Sequence, residues 1–202
     1  MASIKHFKQL EQLKGWRQQV FVAALAERAL PNLVFFADLL QVDLKVFPER
    51  VVEAIWHGIE TRESISVQPQ IEALETLDEE LGGREEYGAM PARDAIEQIL
   101  NALESLVIST SDMARKAAEA SLQTVASFVE FSEGDGLEEH DLVMLLERHP
   151  LTRSELVFQR ELVELLKKAA APTASFLRQI RELSAQGGVS NIGISLCEDE
   201  EE

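Results

Sequence analysis

Apolar residues recur at three- and four-residue spacing from Ile4 to Leu183, and no convincing strand breaks the pattern. Such a chain can hide its apolar side chains only by laying helix against helix. With 202 residues and 46% hydrophobic content, it is long enough to withdraw roughly 70% of its unfolded surface from water without a disulfide or a metal staple. The expected architecture is all-α: one compact bundle of about eight helices over residues 1–195, with no significant sheet.

Prolines and glycines punctuate the pattern. The run from Trp16 to Leu30 is apolar on nearly every side, the mark of a helix buried all round. Pro31 is expected to end it and to open a second short helix to Leu40 across a sharp bend, this bent pair forming the centre of the core. Pro48 opens a helix in which Val51, Val52, Ile55, Trp56 and Ile59 make one stripe, and another carries Ile71, Leu74, Leu77 and Leu81 up to Gly82-Gly83. Pro91 is expected to start the next, with Ala95, Ile96, Ile99, Leu103, Leu106 and Val107 along its apolar side. Ser109 to Asp112 supplies capping residues for a helix running to about Phe131. After the break at Glu133-Gly-Asp-Gly136, a short helix spans Glu138 to Arg148 and Pro150 closes it. Leu151 to Gln186 reads as one long helix kinked at Pro172, and Ser190 to Ser195 as a short extended segment docking two isoleucines on the bundle.

The formal charge of -17 comes from 36 acidic against 19 basic side chains, a field that repels phosphate backbones, so direct nucleic-acid binding is not expected. Glu198 to Glu202 is wholly acidic and has nothing to bury, so residues 196–202 are expected to form a disordered tail. Cys197 stands alone, which rules out an intramolecular disulfide and suits a reducing cytoplasm. The first residues carry no apolar leader, and no run approaches the roughly 18 unbroken apolar residues of a membrane span. A soluble cytoplasmic protein is the expectation, with the acid excess serving solubility or a basic protein partner.

Five strings then occur in order: Leu10-x-x-Leu13-x-x-Trp16, Glu27-Arg28-x-x-Pro31-Asn32, Ile55-Trp56, Tyr87-Gly-x-x-Pro91-Ala-x-Asp94-Ala95 and Ser190-Asn-Ile-Gly-Ile194. On these the chain resembles the YjaG family of bacterial all-helical proteins of unknown function, over nearly its whole length apart from the acidic tail. The resemblance implies a helical fold and no known reaction. Through gene neighbourhood and not biochemistry, it also implies an association with histidine-kinase signalling.

On a wheel of about 100° per residue, Glu27 falls between Trp16 and Val20, and Arg28 between Ala24 and Phe21. Both charges thus lie in apolar arcs. Charged side chains are almost never fully buried unless paired, so this helix end holds either a fold-organising ion-pair network or a polar site with apolar walls. Asp94, in the first turn after Pro91, is a candidate partner for Arg28, provided the Tyr87 to Pro91 loop folds back over the pair. Asn32, Tyr87 and Asn191 are further polar residues of the family-like strings, each suited to tying down a loop or touching a ligand. The candidate polar cluster is therefore Glu27, Arg28, Asn32, Tyr87, Asp94 and Asn191, with structural and ligand-binding roles both open.

Other constellations carry less. Glu53, His57 and Glu60 share a helix face, but it lies opposite the Val51, Ile55 and Ile59 stripe and is expected to be solvated, not turned toward a metal. His6, His57, His140 and His149 are the histidines available for phosphotransfer; His57-Gly58 is placed on an exposed face but lacks the lysine and glycine that usually follow such a histidine. Glu133-Gly-Asp-Gly136 lacks the alternating acids of a calcium loop, and Cys197 beside five acids is a poor nucleophile. No P-loop, dinucleotide fingerprint, nucleophile elbow or zinc-protease motif is present. Neither cofactor nor metal is expected. The leading functional expectation is a non-enzymatic interaction or regulatory protein with a protein partner, linked by the resemblance to signalling. The alternative is a small-ligand-binding protein or unrecognised hydrolase with a cleft around Glu27, Arg28, Tyr87 and Asp94.

Overall fold

A computed structural model describes residues 4–44, 47–63, 66–108 and 110–196. Among these residues the chain forms nine α-helices: α1 (Ile4–Leu10), α2 (Trp16–Leu39), α3 (Pro48–Thr61), α4 (Gln68–Gly82), α5 (Ala89–Ser105), α6 (Met113–Glu133), α7 (Glu139–Arg148), α8 (Pro150–Lys168) and α9 (Ala174–Ala185). A 3₁₀ turn at Gln186–Gly188 and an isolated antiparallel bridge between Val189 and Ser195 complete it, and no strand occurs among the described residues. The expected tail from Cys197 onward, and Ser109, lie outside the described residues.

α2 is the axle. It packs against α3, α5, α6, α8 and α9, and Val20 to Ala26 are all buried. Its alanines face a bundle in which Ala92, Ala95 and Ala102 of α5 are also buried; small side chains let helix axes approach closely, consistent with α5 being its most extensive neighbour. The expected pair of helices bent at Pro31 is one unbroken helix of 24 residues. Pro31 withholds the N–H that would bond the Glu27 carbonyl. The helix nevertheless continues because Ala29, Leu33, Phe36 and Ala37 on either side of it are buried in the same core. By length and composition α2 could cross a bilayer, but 78% of its most apolar window is buried inside this bundle, as befits a central core helix.

The outer helices follow the proline and glycine signals with local shifts. Pro48 sits at the start of α3, whose whole stripe from Val51 to Ile59 is buried, and Leu74, Leu77 and Leu81 bury the inner face of α4. α5 begins at Ala89, ahead of Pro91, and ends before Val107, which is exposed and not part of the stripe. Asp112 occupies the position before α6 but makes no side-chain cap; its carboxylate instead pairs with Lys116 at 2.9 Å and accepts from Thr110 at 2.9 Å.

The expected kinked helix from Leu151 to Gln186 is two helices. Proline disfavours helical backbone in the residue before it and cannot donate a hydrogen bond, so the chain leaves α8 in an extended conformation at Ala169 and restarts at Ala174. The break is stabilised from both sides. Arg17 donates to the orphaned carbonyls of Leu166 (2.9 Å) and Ala169 (2.8 Å), and Thr173 accepts from the Phe176 N–H at 3.3 Å.

Candidate functional site

The buried interior contains a connected chain of polar groups. Arg28, on α2, donates from Nε to Glu155 Oε2 at 2.7 Å, and the opposite oxygen of Glu155 accepts from Ser121 at 2.8 Å and Gln159 at 3.0 Å. Gln159 in turn meets His6 Nε2 at 3.0 Å, while Arg28 Nη1 donates to Gln186. Asn191 donates to Ser121 Oγ at 3.2 Å and accepts from Asn32 at 2.9 Å, closing the chain back onto α2. The guanidinium also lies 4.5 Å from the centre of the Phe158 ring. Arg28 and Glu155 are both almost completely shielded from water, a placement tolerable only because each charge is paired and further hydrogen-bonded.

Local sequence explains how these groups are held. Asn191 sits in a turn where Ser190 Oγ accepts from the N–H groups of Ile192 (3.3 Å) and Ile194 (3.1 Å), and Gly193 supplies a positive φ of 84°. Ile192 is buried beneath that turn. Sequence reasoning named Arg28, Asn32 and Asn191 but missed His6, Ser121, Glu155, Gln159 and Gln186. A signal for two of them was present: Glu155 and Gln159 stand at helical spacing from Leu162 and Leu166, on the buried side of α8.

Glu27 belongs elsewhere. Its carboxylate accepts from Trp56 Nε1 at 2.6 Å and lies 3.5 Å from Arg181 Nε, and Arg181 continues to Glu53 at 2.8 Å. This ties α2 to α3 and α9 at the edge of the core. The carboxylate opposite Arg28 is that of Glu155; Asp94 instead lines an open cleft between α4 and α5.

That cleft, of about 660 Å³, is bordered by Asp78, Arg84, Tyr87, Arg93, Asp94 and Glu97 among others. Arg93 is held by Asp78 through two hydrogen bonds of 2.8 and 3.0 Å. Burial pushes the Asp94 carboxyl above its ordinary range, the facing Thr124 hydroxyl draws it back and the charge of Glu97 raises it further. The Tyr87 hydroxyl is pushed up to about 12, first by burial and then by the negative charge of Asp94. That hydroxyl is shut off from water and has no hydrogen-bond partner, while its ring stacks on Phe131 at 3.7 Å and 10°. Gly88 is required beside it, because the Phe36 ring occupies the space that a Cβ would need. The cleft therefore offers a carboxyl with raised proton affinity and an acid-rich rim, with the Tyr87 hydroxyl enclosed behind it.

An apolar groove of about 400 Å³ lies on another face, lined by Phe7, Leu122, Ala126, Val143, Leu146 and Leu156 among others. One wall is α7, which carries Leu142 to Leu146 in succession; Val143 is exposed, and the other four are half-buried, Leu145 and Leu146 against the core. His149 joins α7 to α8: its Nδ1 accepts from the Leu151 N–H at 3.2 Å and its Nε2 lies 3.1 Å from Glu133. Among the described residues no group of three or more His, Cys, Asp and Glu side chains is placed to hold a metal ion, and Glu53, His57 and Glu60 are exposed.

The chain is similar to known proteins over nearly its whole length. An uncharacterized protein of Haemophilus influenzae is 26% identical over 191 residues, covering 93% of this chain and 95% of its own. The uncharacterized protein YjaG of Escherichia coli is 25% identical over 187 residues, covering 92% and 93%. The crystal structure of a DUF416 family protein from Shewanella baltica superposes with a TM-score of 0.84 at 26% identity, covering 97% of this chain and 100% of that one. The family model described as "Protein of unknown function (DUF416)" matches residues 5–195, a span that takes in α2, the buried polar chain, the cleft and the groove, and the chain belongs to that family.

Proposed function

We propose that this protein is a non-enzymatic interaction or regulatory protein of the cytoplasm that acts through a protein partner. The observation that carries this reading is the uncovered apolar groove beside α7, lined by Leu122, Ala126, Leu146 and Leu156 and by the exposed side chain of Val143. Monomeric proteins seldom leave contiguous apolar surface uncovered unless something docks there. The polar chain of the core supports the reading from the other side, since Arg28 and Glu155 are engaged with each other and their neighbours and shielded from any substrate. The gene-neighbourhood association would make the partner a signalling component; no residue described above selects that class.

The test is a photo-crosslinking amino acid placed at exposed Val143, with a second placed at exposed Glu80 on α4, in cell lysate. A discrete protein adduct from position 143 and not from position 80 is expected. Equal labelling from both, or turnover of a substrate in an activity screen, would overturn the reading.

A second reading is favoured by the cleft of about 660 Å³ that Tyr87 and Asp94 both line, namely a small-ligand site. Of its four expected residues it retains these two, because Arg28 and Glu27 are engaged elsewhere, and a hydrolase built on all four loses its geometry. A compound that raises the Tm of the native chain but not of Tyr87→Phe or Asp94→Asn would establish it; a screen with no such compound would remove it.

A further inference from the structure

The geometry points to the groove between α6, α7 and α8 as a docking site for a cationic amphipathic helix of another protein, a proposal that rests on the interaction reading above. Leu122 and Ala126 of α6, Val143 and Leu146 of α7 and Leu156 of α8 form its apolar floor and walls, with Phe7 of α1 at one end. Apolar grooves of this kind take the anchor residues of one helical face.

Charge selects the occupant. Residues 133–148 contain six acids and one base, Arg148; Glu147 of these lines the groove, while Glu133 and Asp141 line a separate pocket beside α7. Glu119 and Glu147 stand at the groove itself, and the neighbouring Arg115 is engaged by Glu119 at 2.7 Å and by Glu11 at 3.4 Å. A fatty acid would bring its carboxylate against these glutamates. A second copy would bring the same acidic segment, within a chain of net charge -17, against itself. A helix with leucine-type anchors on one face and lysine or arginine on its flanks fits both the floor and the rim.

The experiment uses the full chain and a fluorescein-labelled 16-residue synthetic helix with leucines at helical spacing and lysines elsewhere, followed by fluorescence anisotropy. Saturable one-to-one binding that weakens with salt is expected. Val143→Lys, at a position 40% exposed in the structure, should retain native circular dichroism and weaken binding at least about tenfold. Glu147→Lys should weaken it at low salt and flatten the salt dependence, while Glu80→Lys on α4 should leave it unchanged. Val143→Lys binding within about twofold of the native chain would overturn the proposal. So would equal binding of a peptide with glutamates in place of the lysines, or a stable dimer of the chain in sedimentation that blocks the peptide. Loss of this proposal with a retained position-143 crosslink would leave the interaction reading standing with another kind of partner; loss of the crosslink would remove the interaction reading and the proposal with it, whatever the synthetic peptide does.

Discussion

The centre around α2 and the periphery at α7 each place residues against type, and in opposite ways. The centre encloses Arg28, Asn32, Ser121, Glu155, Gln159 and Asn191 among leucines and alanines, whereas α7 carries five consecutive apolar residues of which Val143 is exposed and the other four only half-buried. A buried polar group left unpaired costs on the order of 1–3 kcal/mol, so the central chain closes in only one arrangement of α1, α2, α6, α8 and the segment after α9. Apolar surface carries no such directional demand. The centre thus specifies the fold, while α7, whose main packing is on α6 and α8, is the element with the least burial to lose.

The most severe way to break this contrast is to open the central pair. Arg28→Ala strands the Glu155 carboxylate and should cost about 3–5 kcal/mol in urea unfolding. Replacing both partners, as Arg28→Met with Glu155→Leu, should recover most of that loss, since well-packed apolar pairs often match or exceed a buried ion pair. A loss below about 1 kcal/mol for Arg28→Ala would mean that the charge is not confined as the 2.7 Å contact indicates. Next comes Gly88→Ala, which drives a methyl group into the Phe36 ring and should cost about 1–3 kcal/mol. Phe36→Leu in the same chain should restore part of it if the ring is the obstacle.

These two positions also show what could be read from the residues. Arg28 was legible because a charge in an apolar arc of a helix demands a partner; that the partner is Glu155 was not, because a pair separated by 127 positions is decided by how α2 and α8 cross. Gly88 stood within a recognisable string, but its reason, contact with Phe36, exists only after α2 and α5 have packed. Helix periodicity was strong enough to place the buried stripes of α3, α4 and α5. It failed at Pro31 and Pro172, where the same residue type met different surroundings. Pro31 is flanked by buried side chains that carry the helix through, whereas Pro172 follows exposed Lys167 and Lys168, and the chain came apart.

A gentler probe is pH at the far end of the polar chain. Burial lowers the His6 pKa from its ordinary 6.5, the bond to Gln159 partly offsets this, and the charges of Arg160 and Lys167 lower it further. Above that ordinary value the imidazole is neutral in both the folded and unfolded chain. As pH falls below it, the unfolded chain takes up the proton first, so stability declines until the depressed folded-state value is reached and then levels off. Comparing urea midpoints at about pH 7.5 and about pH 5.5 should show this decline in the native chain and its reduction in His6→Gln. Equal declines in both would remove His6 as the cause.

The smallest expected effect tests the periphery directly. Val143→Ser removes apolar surface at an exposed position of α7, so global stability should change by no more than about 0.5 kcal/mol. Native-state hydrogen exchange gives the sharper reading. Amides of α7 should exchange through local opening, well before those of α2, because the main packing of α7 is on α6 and α8, with the His149 contacts at the hinge, and none of its side chains is fully buried. If α7 amides were protected as strongly as those of Phe21 or Leu25, the helix would be integral to the cooperative core. Its exposed apolar face would then belong to a rigid surface, and a docking partner would have to accept the groove at its present width instead of prising it open.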